Sequence, residues 1–240
     1  MSGVVPAEPT VRLRGVSKDY GRHHVLRDIS LKVGHGEVVG LVGPNGTGKT
    51  TLLGIMSGLI RPSDGSGCVL GESIGPNKRP APFVGIMLEK PAFIEHRSAC
   101  ANLRFLAAIR GRLGDREIEQ ALADVGLSCR DRTPVRAYSQ GMRQRLSLAQ
   151  AVMERPRLLL LDEPTNGLDP LGVIELRRTV REVAQQGAAV IVSSHLLAEV
   201  AALCSRIVIV VDGRVALDRA ANESPESLES SYLAAVGART

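Results

Sequence analysis

The hydrophobic pattern changes period several times along the chain. Residues 11–14, 29–33 and 37–42 are short apolar or β-branched runs, the second partly alternating, and they predict early strands. A Gly-rich turn follows Val42. A helical stretch then runs over about 49–57 and stops near Gly58, with Pro62 and Gly65 beyond it. From about 91 to 154 no convincing strand is visible, and helical patterns dominate, as over 99–109 and 115–125. Strand patterns resume at 157–161, 188–192 and 207–211. The last is followed by Asp212-Gly213 and then 214–217, which reads as a hairpin. The tail after Ala220 is polar, then weakly helical. Strands alternating with helices predict an α/β fold on a mixed, largely parallel sheet, with a helical insert.

Composition narrows the picture only a little. With three Tyr, three Phe and no Trp among 240 residues, Val, Leu, Ile and Ala must fill the core. The chain is 44% hydrophobic and 23% charged, as expected of one large α/β domain. Its net charge of +5 would suit an anionic partner, but the basic residues are spread rather than clustered, which argues against a nucleic-acid groove. Cys68, Cys100, Cys129 and Cys204 lie far apart without CxxC or metal spacing, so a reduced, cytosolic compartment fits best. The first ten residues hold no apolar signal core, and the runs at 158–161 and 207–211 fall far short of a membrane span. A membrane role would therefore need a partner.

Three motifs carry chemistry. Gly43, Pro44, Asn45, Gly46, Thr47, Gly48, Lys49 and Thr50 match the phosphate-loop pattern in full, after a strand and opening a helix. Glycines there let backbone N–H groups wrap phosphates, and the helix N-terminus favours the same anion. Lys49 is expected to reach the β- and γ-phosphates of ATP, and Thr50 to ligate Mg²⁺; Thr51 continues the site. The second motif is an apolar strand ending in Asp162 and Glu163, at the carboxyl edge where parallel sheets place ligands. Asp162 suits the metal and Glu163 suits activation of a water molecule. The third opens a helix at Ser139, a natural N-cap. Met142, Leu146, Ala149 and Met153 follow at helical spacing, and Pro156 marks the end.

These motifs, in this order, give the chain over residues 10–218 a resemblance to the nucleotide-binding subunits of ABC transporters. In many members the signature is Leu-Ser-Gly-Gly-Gln. It corresponds to residues 138–142 here, where Ser139 and Gly141 are kept and the other three positions differ. The resemblance implies a P-loop NTPase core over 10–90 and 155–220, with an antiparallel β subdomain. It implies a helical signature subdomain over 91–154 and a tail over 221–240. It places Tyr20 against adenine, Asn166–Asp169 as the loop through which two copies communicate, Asp169 among the ATP contacts, and His195 at the γ-phosphate. Glu89 stands where the family usually has a Mg²⁺-ligating Gln, and a carboxylate also offers oxygen.

The implied assembly is a head-to-tail dimer around two ATP molecules, the phosphate loop of one copy facing Ser139 and Gly141 of the other. It would dock on an integral membrane subunit through the stretch after Glu89, with Phe93 and Ile94, from the cytoplasmic face of the cell membrane. No nucleic acid is expected. Glu89 with Pro91-Ala92-Phe93, and the Ser-Gln-Gly-Met signature, resemble the drug-efflux and antibiotic-immunity branch. The competing readings are a soluble ABC ATPase without transport, which the lack of tandem cassettes counts against, and a non-hydrolysing regulatory module, which Glu163 counts against.

Overall fold

A computed structural model describes residues 8–75, 80–111, 113–221 and 225–237; the first seven residues and parts of the tail read above lie outside these. In chain order the strands are β1 (Val11–Tyr20), β2 (His23–Val33), β3 (Val38–Val42), β4 (Asp64–Val69), β5 (Glu72–Ser73), β6 (Val84–Met87), β7 (Leu158–Asp162), β8 (Ala189–Ser194), β9 (Arg206–Val211) and β10 (Arg214–Ala220). The helices are α1 (Lys49–Met56), α2 (Ala99–Arg110), α3 (Asp115–Asp124), α4 (Gln140–Val152), α5 (Pro170–Gln185), α6 (Leu197–Ala201) and α7 (Pro225–Gly237).

A strand that is apolar on both sides must be covered on both faces, and β7 is. It lies in a six-stranded sheet ordered β10–β9–β3–β8–β7–β6, parallel throughout except for the β9–β10 hairpin. Because strand side chains alternate, its four leucines feed two separate cores. Leu158 and Leu160 join Leu41, Ile191, Val208 and the α1 residues Leu52 and Leu53. Leu159 and Leu161 join Val190, Val192, and Leu146 and Ala149 of α4 with Leu176 and Val180 of α5. All four leucines are fully buried, and each burial stabilises by roughly 1.5–3 kcal/mol. The first core is closed by a second, antiparallel sheet ordered β2–β1–β4–β5. The mixed, largely parallel α/β fold with an antiparallel sheet is thus as expected.

Several elements exceed their sequence patterns. β1 and β2 extend to their shared turn through charged and His residues that are partly or fully exposed, so no apolar alternation marked them. β4 is Gly-rich and mostly exposed. α5 went unread, although Asp169 caps it, Pro170 occupies its first turn, and Leu176 and Val180 form its buried face.

Between 91 and 154 the described residues hold helices and one isolated bridge, Ser98 to Pro134, but no strand. The Asn102 side chain accepts from Ile94 N–H and donates to the carbonyls of Ile94, Arg97 and Ser98. Segment 94–98 is bonded in turn to Val135 and Arg136, just before α4, and Glu95 takes a bidentate contact from Arg143 of α4. The Arg143 guanidinium holds the Glu95 carboxyl below its usual range.

The cysteines depart from the expectation of a wholly reduced chain. Cys100 and Cys129, 29 residues apart, form a disulfide with Cα atoms 4.8 Å apart. Their separation in sequence concealed the pairing, since the antiparallel turn from α2 to α3 brings the loop beyond α3 back to the first turn of α2. Cys68 and Cys204 are free, and burial pushes the Cys204 thiol pKa up to about 12.

Short α6 sits directly against β3. A Cβ added at Gly40 would lie 1.8 Å from Val200 Cγ1 and 3.2 Å from Cys204 Sγ. Gly40→Ala is therefore expected to destabilise the fold by about 1–3 kcal/mol through overpacking. Adding Val200→Ala removes the clashing methyl and should recover part of that loss, as read from urea denaturation of the single and double variants.

Candidate functional site

β3 ends at Val42, and the chain wraps through residues 43–48 into α1. Gly48 holds φ +97, a left-handed conformation, and an added Cβ would meet Leu26 at 2.5 Å. No side chain caps α1 at its N-terminus and no acid lies in its first turn, so its first amides face a cleft rather than a neighbouring oxygen. The cleft holds about 380 Å³ and is lined by Val25, Asn45, Gly46, Gly48, Lys49, Thr50, Thr51, Glu89, Glu163, Asn166 and His195.

Lys49 is buried, and its Nζ donates to the carbonyls of Gly43 at 2.7 Å and Pro44 at 3.1 Å. Glu163 Oε1 lies 3.8 Å away. Burial pushes the Lys49 ammonium below the usual lysine range, while Glu163, Asp162 and Glu89 pull it back. A polyanion in the cleft would add to that pull. Thr47 turns inward, its hydroxyl donating to the Pro44 carbonyl at 2.9 Å.

The acid pair arrives from β7. Asp162 is 1% exposed and accepts from the Thr50 hydroxyl at 2.8 Å and the Ser193 hydroxyl at 2.5 Å. Glu163 follows with φ +48, a left-handed conformation that costs a non-glycine residue about 1–3 kcal/mol. Its N–H donates to both the Ser193 carbonyl at 3.2 Å and the Ser193 hydroxyl at 3.1 Å, which holds the kink. The turn swings the Glu163 side chain to His195 Nδ1, 2.9 Å from Oε2. Glu163 is thus placed between a cation and an imidazole on the wall of the cleft.

Among the described residues no cluster of three or more His, Cys, Asp or Glu side chains is arranged to hold a metal ion. Thr50 and Asp162 nevertheless present hard oxygens in mutual contact, and Glu89 faces the same cleft. That donor set fits Mg²⁺, which takes few protein ligands and draws the rest from phosphates and water.

Other expected residues lie elsewhere in this chain. Tyr20 is half exposed at the β1–β2 turn, with Lys18 Nζ 4.8 Å over its ring, and does not line the cleft; Val25 of β2 does. Ser139 caps α4, accepting from Met142 N–H at 3.2 Å, and is exposed. Gly141 lies against the loop after Glu163, where an added Cβ would come 3.0 Å from the Gly167 carbonyl. Asp169 caps α5 by accepting from Gly172 N–H at 2.9 Å and meets Arg145 at 3.5 Å. Ser193 and Glu199 escaped sequence reading. Ser193 stands two residues before His195 in an apolar strand, where a buried hydroxyl is itself a signal.

The family described as ABC transporter matches residues 26–166. An uncharacterised ABC transporter ATP-binding protein of Bacillus subtilis, YdbJ, is 37% identical over 95% of this chain and 74% of its own length. The lantibiotic transport ATP-binding protein SrtF of Streptococcus pyogenes is 34% identical over 92% of this chain and 95% of its own. A solved structure of an ATP-binding subunit of an ABC transporter superposes with a TM-score of 0.80, at 27% identity, covering 93% of this chain and 99% of that one. No helix among the described residues is long and apolar enough to cross a membrane. A phosphate loop facing a buried acid pair, on this fold and with these relatives, places the chain in the ABC transporter family, as one of its ATP-binding and ATP-hydrolysing subunits.

Proposed function

We propose that this chain powers export of a peptide or antibiotic-like cargo through a separate membrane subunit, to which it binds at the cytoplasmic face. The observation that carries the reading is the convergence of Lys49, Thr50, Asp162, Glu163 and His195 at one cleft. The resemblance to SrtF, which is named for lantibiotic transport, supports the cargo class.

In this reading the loop amides from Gly43 to Thr51 and the Lys49 ammonium hold the phosphates of ATP. Lys49 would exchange its two carbonyl partners for phosphate oxygens, which offer it full negative charge. Thr50 and Asp162 would hold Mg²⁺, with Glu89 beside them. When bound, the ion would offset negative charge on the β- and γ-phosphates. Glu163 accepts the proton of the attacking water, and His195 holds the carboxylate in place and faces the γ-phosphate.

The exposed N-terminus of α4, with Ser139 and Gly141, is left for the nucleotide of a second copy. A γ-phosphate bridging two helix N-termini would favour a closed dimer, and its hydrolysis would loosen it. Asn166 lies on the cleft while Gly167 abuts Gln140 of α4, so this loop would report the state of one site to the other. Leu171 and Ile174, large and exposed at the start of α5, suit such a contact.

Lys49→Ala should lower steady-state ATP hydrolysis at least about a hundredfold with the thermal unfolding midpoint little changed. Hydrolysis near the parent rate in the folded variant would exclude the phosphate site. Glu163→Gln should bind ATP but hydrolyse it about 10²–10⁴-fold more slowly, and light scattering with Mg²⁺ and ATP should then read a dimer. A variant that stays monomeric with ATP bound counts against the paired arrangement. Glu89→Gln should stay near parent activity, because it keeps an oxygen at the same reach. Glu89→Ala should lose hydrolysis while retaining nucleotide; equal activity in both variants would remove Glu89 from the site. Cargo-stimulated hydrolysis by the co-purified membrane complex tests the transport reading itself.

A further inference from the structure

Glu199 takes no part in the cleft lining, yet two loops of the site meet at one of its oxygens. Its Oε2 accepts from the Thr165 hydroxyl at 2.6 Å and from the Ser194 hydroxyl at 3.3 Å. Thr165 is two residues past Glu163, with Pro164 between them to stiffen the link. Ser194 immediately precedes His195, and its hydroxyl also accepts from Leu196 N–H at 3.0 Å, so it spans the histidine from both sides. Glu163 and His195 close the circuit through their own 2.9 Å contact.

We propose that Glu199 is a positioning residue for ATP hydrolysis, holding the loop after Glu163 in register with the turn that carries His195. The inference rests on the reading of Glu163 and His195 given above. Three observations support it. Glu199 is a charged acceptor at short range to Thr165, a contact stronger than one between neutral groups. Its carrier, α6, has little freedom, since Val200 is packed onto β3 at Gly40. Glu163 itself sits in a left-handed backbone conformation that persists only when its surroundings hold it. Ser193 of β8 restrains that backbone at Glu163 itself, and the Thr165–Glu199 bond restrains it from the loop side.

If the circuit orients Glu163, loosening it should slow the chemical step and leave ATP binding alone, because Lys49 and the loop amides make no contact with Glu199. Small misplacements of a reacting group cost large factors in rate. The test is steady-state MgATP hydrolysis by the full chain for Glu199→Ala, Glu199→Gln, Thr165→Val and the Glu199→Ala/Thr165→Val pair, with Glu163→Gln as control. Glu199→Ala should lower kcat about tenfold with KM for ATP within about twofold. Glu199→Gln, which keeps an acceptor at the same reach, should recover most of the loss. Thr165→Val, close in shape and free of the risk of a buried gap at α6, should also lower kcat, and the double variant should be no slower than Glu199→Ala alone. The proposal is overturned if kcat of Glu199→Ala stays within twofold of the parent. It is equally overturned if the glutamine variant is as slow as the alanine variant, or if the Glu199 and Thr165 losses multiply. An unslowed Glu163→Gln would instead defeat the underlying reading of the acid pair, so the two failures are distinguishable.

Discussion

A carboxylate buried at the end of an all-leucine strand is destabilising unless its oxygens find donors, and the way Asp162 is satisfied organises the site. One oxygen takes the hydroxyl of Thr50, which draws the start of α1 onto β7. The other takes the hydroxyl of Ser193, which draws in β8. The same Ser193 then fixes the backbone of Glu163. Three elements distant in sequence are thereby registered by one buried group, and the sheet order that sets β7 beside β8 makes the arrangement possible. Removing either hydroxyl would leave part of a buried charge without a donor, which is why the contact specifies geometry rather than merely adding stability.

The electrostatics of the cleft are unbalanced by design of the same elements. Lys49 is buried among backbone carbonyls and two acids, and desolvation weighs against its charge. Glu163, Asp162 and Glu89 add negative potential, which favours the charge of Lys49 but would repel a polyphosphate. A nucleotide would supply negative charge for Lys49, and a cation carried with it would supply positive charge for the acids, so each would favour entry of the other.

Much of this was legible from local pattern because its parts are local. The turn at 43–48 needs glycines, Lys49 and Thr50 follow on one helix, and Asp162 and Glu163 end an unbroken apolar strand. The general α/β alternation was visible for the same reason, since buried parallel strands announce themselves as apolar runs. What escaped acts over distance or lacks apolar contrast. Glu199 meets Thr165 across 34 residues, and nothing in a five-residue helix marks it. The outer halves of β1 and β2 face solvent, and β4 is built on glycine, so no alternation betrays them. The pairing of Cys100 with Cys129 depends on how α2 and α3 fold back, which spacing alone cannot express.

The way residues 94–98 are held has a mechanical meaning. Four hydrogen bonds to Asn102, backbone bonds to Val135 and Arg136, and the Glu95–Arg143 fork tie this short stretch to α2 and to the head of α4. The Cys100–Cys129 bridge ties the first turn of α2, next to this stretch, to the loop after α3. Such a braced body has few ways to absorb a push internally. Displacing Ile94 or Glu95 would strain several of these bonds at once. Residues 94–98 and the head of α4 are therefore coupled, since a shift of one strains bonds to the other.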